Sequence, residues 1–208
     1  MTERRSVRSR RVAGPLLGIL GLLCTAAAAP GDGATATVRD ALQRATAISQ
    51  TAQPRAVQLE GLRGLARELV DTGAMGRRAL GEVYAQRSDA EQREFLRLFD
   101  ELIVRAYLQK LLLFRDPTFR FRPEERRGDT VVVVSEVVTE RDTFEVGYEM
   151  RYADQRWLAT DIVVEGISLS GNYADQFASA LKQRSFEELL DLMRRKVDHF
   201  RKAPQAPS

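Results

Sequence analysis

Histidine and cysteine are scarce in this 208-residue chain, and its other acid–base and nucleophilic side chains show no catalytic spacing. His199 is the sole histidine and Cys24 the sole cysteine. His199 falls at the end of a C-terminal helical pattern, where an imidazole is solvated rather than held against a nucleophile. The sequence contains no zinc-ligand spacing, no P-loop and no G-x-G-x-x-G. Carboxylates are plentiful, but Glu145 and Glu149 alternate with apolar residues and so belong to the polar face of a strand. Asp161 is different, because it interrupts an apolar run, Leu158 to Gly166 (LATDIVVEG). Two readings of it stand: a buried carboxylate hydrogen-bonded to a loop, or a general base in a pocket with Tyr107 or Tyr148 as oxyanion donor.

The elements that must position these groups are read from periodicity. Thr37 can cap a helix with Val38, Ala41, Leu42, Ala45 and Ile48 on one face, broken at Gln53-Pro54. A second helix is predicted from about Ala56 to Val70, although Gly61 and Gly64 each cost about 1 kcal/mol relative to Ala. Asp71-Thr72-Gly73 reads as a turn, followed by a short helix holding Met75, Ala79, Leu80 and Val83. The strongest helix signal opens with a capping box, Ser88-Asp89-Ala90-Glu91, and runs to about Phe114, before Asp116-Pro117. Its apolar face is wide: most such faces simply pack in a core, and a wide one can also touch a sheet and line a cavity at once.

Period two then takes over. Val131–Val138, Phe144–Tyr152 and Trp157–Glu165 read as strands, with a further one around Phe119 and Phe121 and a turn at Ala153-Asp154-Gln155-Arg156. Consecutive strands of this kind make a mainly antiparallel meander. Two helices close the chain, one over about Gly171–Lys182 and one opened by a second capping box at Ser185–Glu188.

The N-terminus reads as a targeting segment. Five arginines precede an apolar run, Val12 to Cys24, that is too short to span a bilayer, and small residues Ala26 to Ala29 follow. We expect a cleaved signal peptide over 1–28, a flexible leader over 29–36, one domain over 37–202 and a disordered tail over 203–208. Cleavage would remove five of 32 basic and one of 29 acidic residues, leaving a near-neutral chain without cysteine. No basic excess would then remain to bind nucleic acid. Without disulfides, stability must come from a packed core.

Three segments carry a resemblance to a known family. Asp71 to Gly81 (DTGAMGRRALG) is similar to D-x-x-x-M-x-x-x-x-L-G. Ser88 to Leu111 is similar to a long helix with F-x-x-x-F-x-x-L-x-x-x-x-Y. Asp161 to Leu169, with Asn172-Tyr173 and Gln176-Phe177, looks like D-V-x-V-E-G-V-S-L-x-x-N-Y-x-x-Q-F. Together they resemble the MlaC family, also called the toluene-tolerance auxiliary family, of periplasmic phospholipid-binding proteins. Gly73 stands where that family commonly has an aromatic residue, and Gln50 to Arg67 is weakly similar.

The resemblance implies an α+β fold: helices packed on a curved, mainly antiparallel sheet, a cystatin-like or nuclear-transport-factor-like cone enclosing an apolar pocket. It implies a phospholipid ligand, no cofactor and no catalysis. The implied partners are an inner-membrane ABC transporter complex and an outer-membrane lipoprotein–porin complex. Hopanoid or other lipids are the alternative cargo. The residues expected to line the pocket are Phe95, Phe99, Ile103, Tyr107, Val134, Val146, Tyr148, Val163 and Phe177. Met75 and Leu80 are expected to form a mobile wall, and Arg77 and Arg78 to serve docking. A pocket that must release its lipid is expected to grip the head group weakly.

Overall fold

The structure is a computed structural model that describes residues 33–112 and 116–202. The expected signal peptide and C-terminal tail lie outside the described residues. The chain runs α1 (Ala34–Ser49), α2 (Arg55–Leu69), α3 (Thr72–Leu80), α4 (Glu82–Ala85), α5 (Asp89–Leu111), β1 (Thr118–Phe121), β2 (Glu125–Arg127), β3 (Thr130–Val138), β4 (Thr143–Ala153), β5 (Arg156–Val164), β6 (Ile167–Ser168), α6 (Leu169–Leu181) and α7 (Phe186–Lys202).

The strands form one six-stranded antiparallel sheet in the order β1-β3-β4-β5-β6, with β2 also on β3. Tight hairpins set the register. Ala153 pairs with Arg156 around Asp154 and Gln155, and Val164 pairs with Ile167 around Glu165 and Gly166. All four central residues have positive φ. This matches the twist that two-residue hairpin loops need. The β3–β4 register places Val131, Val133, Ser135 and Val137 opposite Met150, Tyr148, Val146 and Phe144 on the inner face. Their neighbours fall on the outer face, because side chains alternate along a strand. β2 and β6 are absent from the sequence reading; at three and two residues they are too short to show a period.

The capping boxes form as read. Glu91 accepts from the Ser88 N–H at 2.9 Å, and Glu188 accepts from the Ser185 N–H at 2.7 Å. Three local details differ from the sequence reading. Helix α1 begins at Ala34, within the expected leader, because Ala34 is fully buried and the Thr35 N–H donates to Glu124 at 2.7 Å. Asp71 is a helix cap rather than a turn residue, its Oδ1 accepting from the Ala74 N–H at 2.7 Å. The short helix is split at Gly81, whose φ of 60° ends α3 and starts α4.

Two cores result. One joins α3, α5, α6 and α7, with Met75, Phe95, Phe99, Tyr173 and Phe177 at its centre. The other joins α1 and α2 to the inner face of the sheet, through Val38, Leu65, Val133 and Met150. A smaller cluster, Leu62 with Val104 and Leu108, ties α2 to α5. Helices α1, α2 and α5 therefore meet the sheet around a common interior.

Candidate functional site

That interior is hollow. A cavity of about 580 Å³ lies between α1, α2 and α5 and the inner face of β3, β4 and β5. This falls within the roughly 300–1,000 Å³ of typical ligand pockets. Helix α1 contributes Ala41, Leu42 and Ala45; α2 contributes Leu62, Leu65 and Leu69. Ala41 and Ala45, one helical turn apart, are small side chains that take up little of the space between α1 and the sheet. The sheet contributes Val137, Phe144, Val146, Tyr148, Ile162 and Val164.

The wall is almost wholly apolar. Among the described residues that line it, Glu165 is the sole carboxylate and no Lys, Arg or His is present. The Tyr148 phenol is buried, hydrogen-bonded to Ser135, and burial pushes its pKa up to about 12. Burial raises Tyr107 as well. Both hydroxyls stay protonated at neutral pH, and neither adds charge to the lining. Its other polar side chains among the described residues include Thr46, Ser49 and Asn172. Glu165, Ile167 and Asn172 are exposed and mark the mouth.

The structure brings Ile103, Tyr107, Val146 and Tyr148 to the cavity wall. It places Phe95, Phe99 and Phe177 elsewhere, in the ring cluster between α5 and α6, where Phe95 and Phe177 meet edge-on at 5.5 Å. The wide face of α5 is thus divided by position along the helix: its first half fills a core, and its second half lines a cavity. Val134 and Val163 lie on the outer face of the sheet, on either side of Gly147 in one cross-strand row. In the valine runs of β3 and β5, alternation alone could not say which side faced in. Met75 and Leu80 are buried in the solid core and form no part of the cavity wall. Sequence reasoning did not assign α1 and α2 to the cavity. The signal was there in the paired alanines of α1, but it is indistinguishable from ordinary close helix packing.

Asp161 is 1% exposed and fully engaged. Its carboxylate accepts from the Ser170 hydroxyl at 2.7 Å, the Ser170 N–H at 3.1 Å, the Ser168 hydroxyl, and Arg78 at 3.0 Å. It therefore sits at the start of α6, where unpaired N–H groups favour an anion. Arg78 also grips Glu149 at 2.7 Å, and Arg77 lies 4.0 Å from Asp71. Asp161 projects from the face of β5 opposite Ile162, whereas Tyr148, paired with Ile162, faces the cavity. The carboxylate and the tyrosines are not assembled into one constellation. Asp161 instead pins α3, β5 and α6 together.

A protein-family model described as MlaC protein matches residues 34–195. Among solved structures, the chain is similar to a phospholipid-binding protein from Ralstonia solanacearum in complex with a phospholipid. The identity is 24%, the TM-score is 0.72, and the match covers 81% of this chain and 99% of that one. The shared architecture is the helix-on-sheet fold described above.

Proposed function

The chain belongs to the MlaC family, and from that premise we propose that it binds a phospholipid by its acyl chains and carries it across the periplasm between membrane complexes. The observation that supports this reading is the cavity itself: an apolar chamber between helices and sheet, with exposed polar residues at its rim. Exposed hydrocarbon in water costs about 0.8 kcal/mol per CH₂, so two acyl tails carry a penalty of tens of kcal/mol. A lipid cannot cross water at a useful rate against that barrier. A protein that offers a comparable apolar wall removes it. Because the wall holds almost no polar anchor, affinity stays near that of a bilayer, and the lipid can leave again.

In this reading the N-terminal segment directs export and is removed. The lipid passes between an outer-membrane lipoprotein–porin complex and an inner-membrane ABC transporter complex. The protein performs no chemistry on its cargo.

The test is native mass spectrometry of the exported protein, with its organic extract resolved by liquid chromatography. We expect phospholipid bound in stoichiometric amount; a polycyclic lipid in the extract would replace the cargo assignment, and an empty extract would overturn carriage. Ala45→Trp, which projects an indole into the cavity from α1, should lower bound lipid several-fold while leaving the circular dichroism spectrum intact.

A further inference from the structure

Among the described residues that line the cavity, the one charged side chain is Glu165, at the mouth. It is held at a hairpin position with φ of 50°. The Glu165 N–H donates to the Glu145 carbonyl at 3.0 Å, and the Glu165 carboxylate accepts from the Glu145 N–H in return. This double link fixes the carboxylate at the rim. The side chain of Glu145 is answered by Arg122 at 2.7 Å, and Arg122 also reaches Glu136 at 3.2 Å. Among the described residues, Glu165 has no such cation within ion-pair distance. The same end of the sheet carries Glu140 and Asp142 against Arg141 in the β3–β4 connection, and Asp116 just before β1. The N-terminus of α6 borders the mouth through Leu169 and Asn172, and it would otherwise attract a phosphate. Asp161 already occupies it.

A phospholipid seated with its tails in the cavity presents its head group at this rim. Among the described residues, no cation lines the cavity beside Glu165, and the nearby Arg122 is already paired with Glu145 and Glu136. A head group that ends in a protonated amine can set that amine against Glu165, whereas an acidic head group meets the Glu165 carboxylate as like charge. We propose that Glu165 makes the mouth prefer lipids with an ammonium-bearing head group over acidic phospholipids. The inference rests on the carrier reading and adds the lipid class to it. A single exposed charge pair supports a modest preference, about two- to fivefold. That is small enough to leave release intact.

The test loads delipidated protein from vesicles of equimolar phosphatidylethanolamine and phosphatidylglycerol and measures both bound lipids by mass spectrometry. The native chain should be enriched about two- to fivefold in phosphatidylethanolamine. Glu165→Gln keeps the acceptor for the Glu145 N–H but removes the charge, so its bound ratio should fall to that of the vesicle. Glu165→Lys should invert the preference. Total lipid per protein should stay constant in all three, which separates selectivity from misfolding. Equal uptake of both lipids by the native chain, or a ratio indifferent to Glu165→Lys, overturns the selectivity and leaves carriage standing. A chain that takes up neither lipid overturns carriage itself.

Discussion

At the scale of single residues, burial and partnership separate chemistry from architecture. Asp161 had one outward mark of a general base: a carboxylate inside an apolar strand. Its surroundings answer otherwise, because hydroxyl, backbone and guanidinium donors consume its acceptor capacity. Asp161→Asn replaces one acceptor oxygen with a donor and leaves a partner at the start of α6 unanswered. We expect a loss of about 2 kcal/mol in urea unfolding, with lipid per folded molecule unchanged. Native stability in this variant would remove Asp161 from the role of anchor. The sequence alone offered both readings of this residue. What decided between them was the Ser168 and Ser170 pair arriving from across a two-residue hairpin.

Elements were the most legible level, wherever a period or cap spelled them out. The two S-x-x-E boxes, the long α5 and the three long strands needed only local information. The short β2 and β6, the Gly81 break and the inward side of the valine-rich strands depended on neighbours the sequence does not display. Two glycines make the same point in energetic terms. Gly64 sits within α2 with nothing within 4 Å of the place a Cβ would occupy, so Gly64→Ala should raise stability by about 0.5–1 kcal/mol. Gly76 lies where α3 crosses α5; a Cβ there would stand 2.9 Å from Leu96 Cδ2 and 3.1 Å from the Phe99 ring. Gly76→Ala must push the helices apart and should cost about 1–3 kcal/mol despite the better helix former. Denaturant melts of the two variants should move in opposite directions, and a shared direction would refute this account of the helix contacts. Between α5 and α7 an ionic contact adds to the apolar core: Glu94 is hydrogen-bonded to Arg97 on its own helix and to Arg194 on α7, and these bonds, Arg97 first, hold it at about 2, down from 4.5. The folded value is the lower one, so this contribution is present above about 4.5 and is lost as the pH falls toward 2. Thermal melts across that window should lose stability more steeply in the native chain than in Glu94→Gln.

For the molecule as a whole, the central fact is an interior left unfilled. Protein cores pack like organic crystals, and an apolar void forfeits the contacts its lining would otherwise make. A cavity of about 580 Å³ walled by Leu, Val, Ile and Phe is therefore a standing cost to the empty fold. Cargo offsets that cost, because a ligand bound only to the native state raises stability by mass action. Stability and carriage should thus pull against each other at the cavity wall. Ala45→Leu tests this directly, adding side-chain volume to α1 where the cavity leaves space. Freed of lipid, the variant should melt a few degrees above the freed native chain, since filling a void commonly gains about 0.5–2 kcal/mol. Offered vesicles, it should take up less lipid and gain less in melting temperature than the native chain does. Scanning calorimetry of both proteins, empty and loaded, measures the four states needed. If the variant melts lower when empty and rises just as far when loaded, then the space near Ala45 is not the space the lipid occupies.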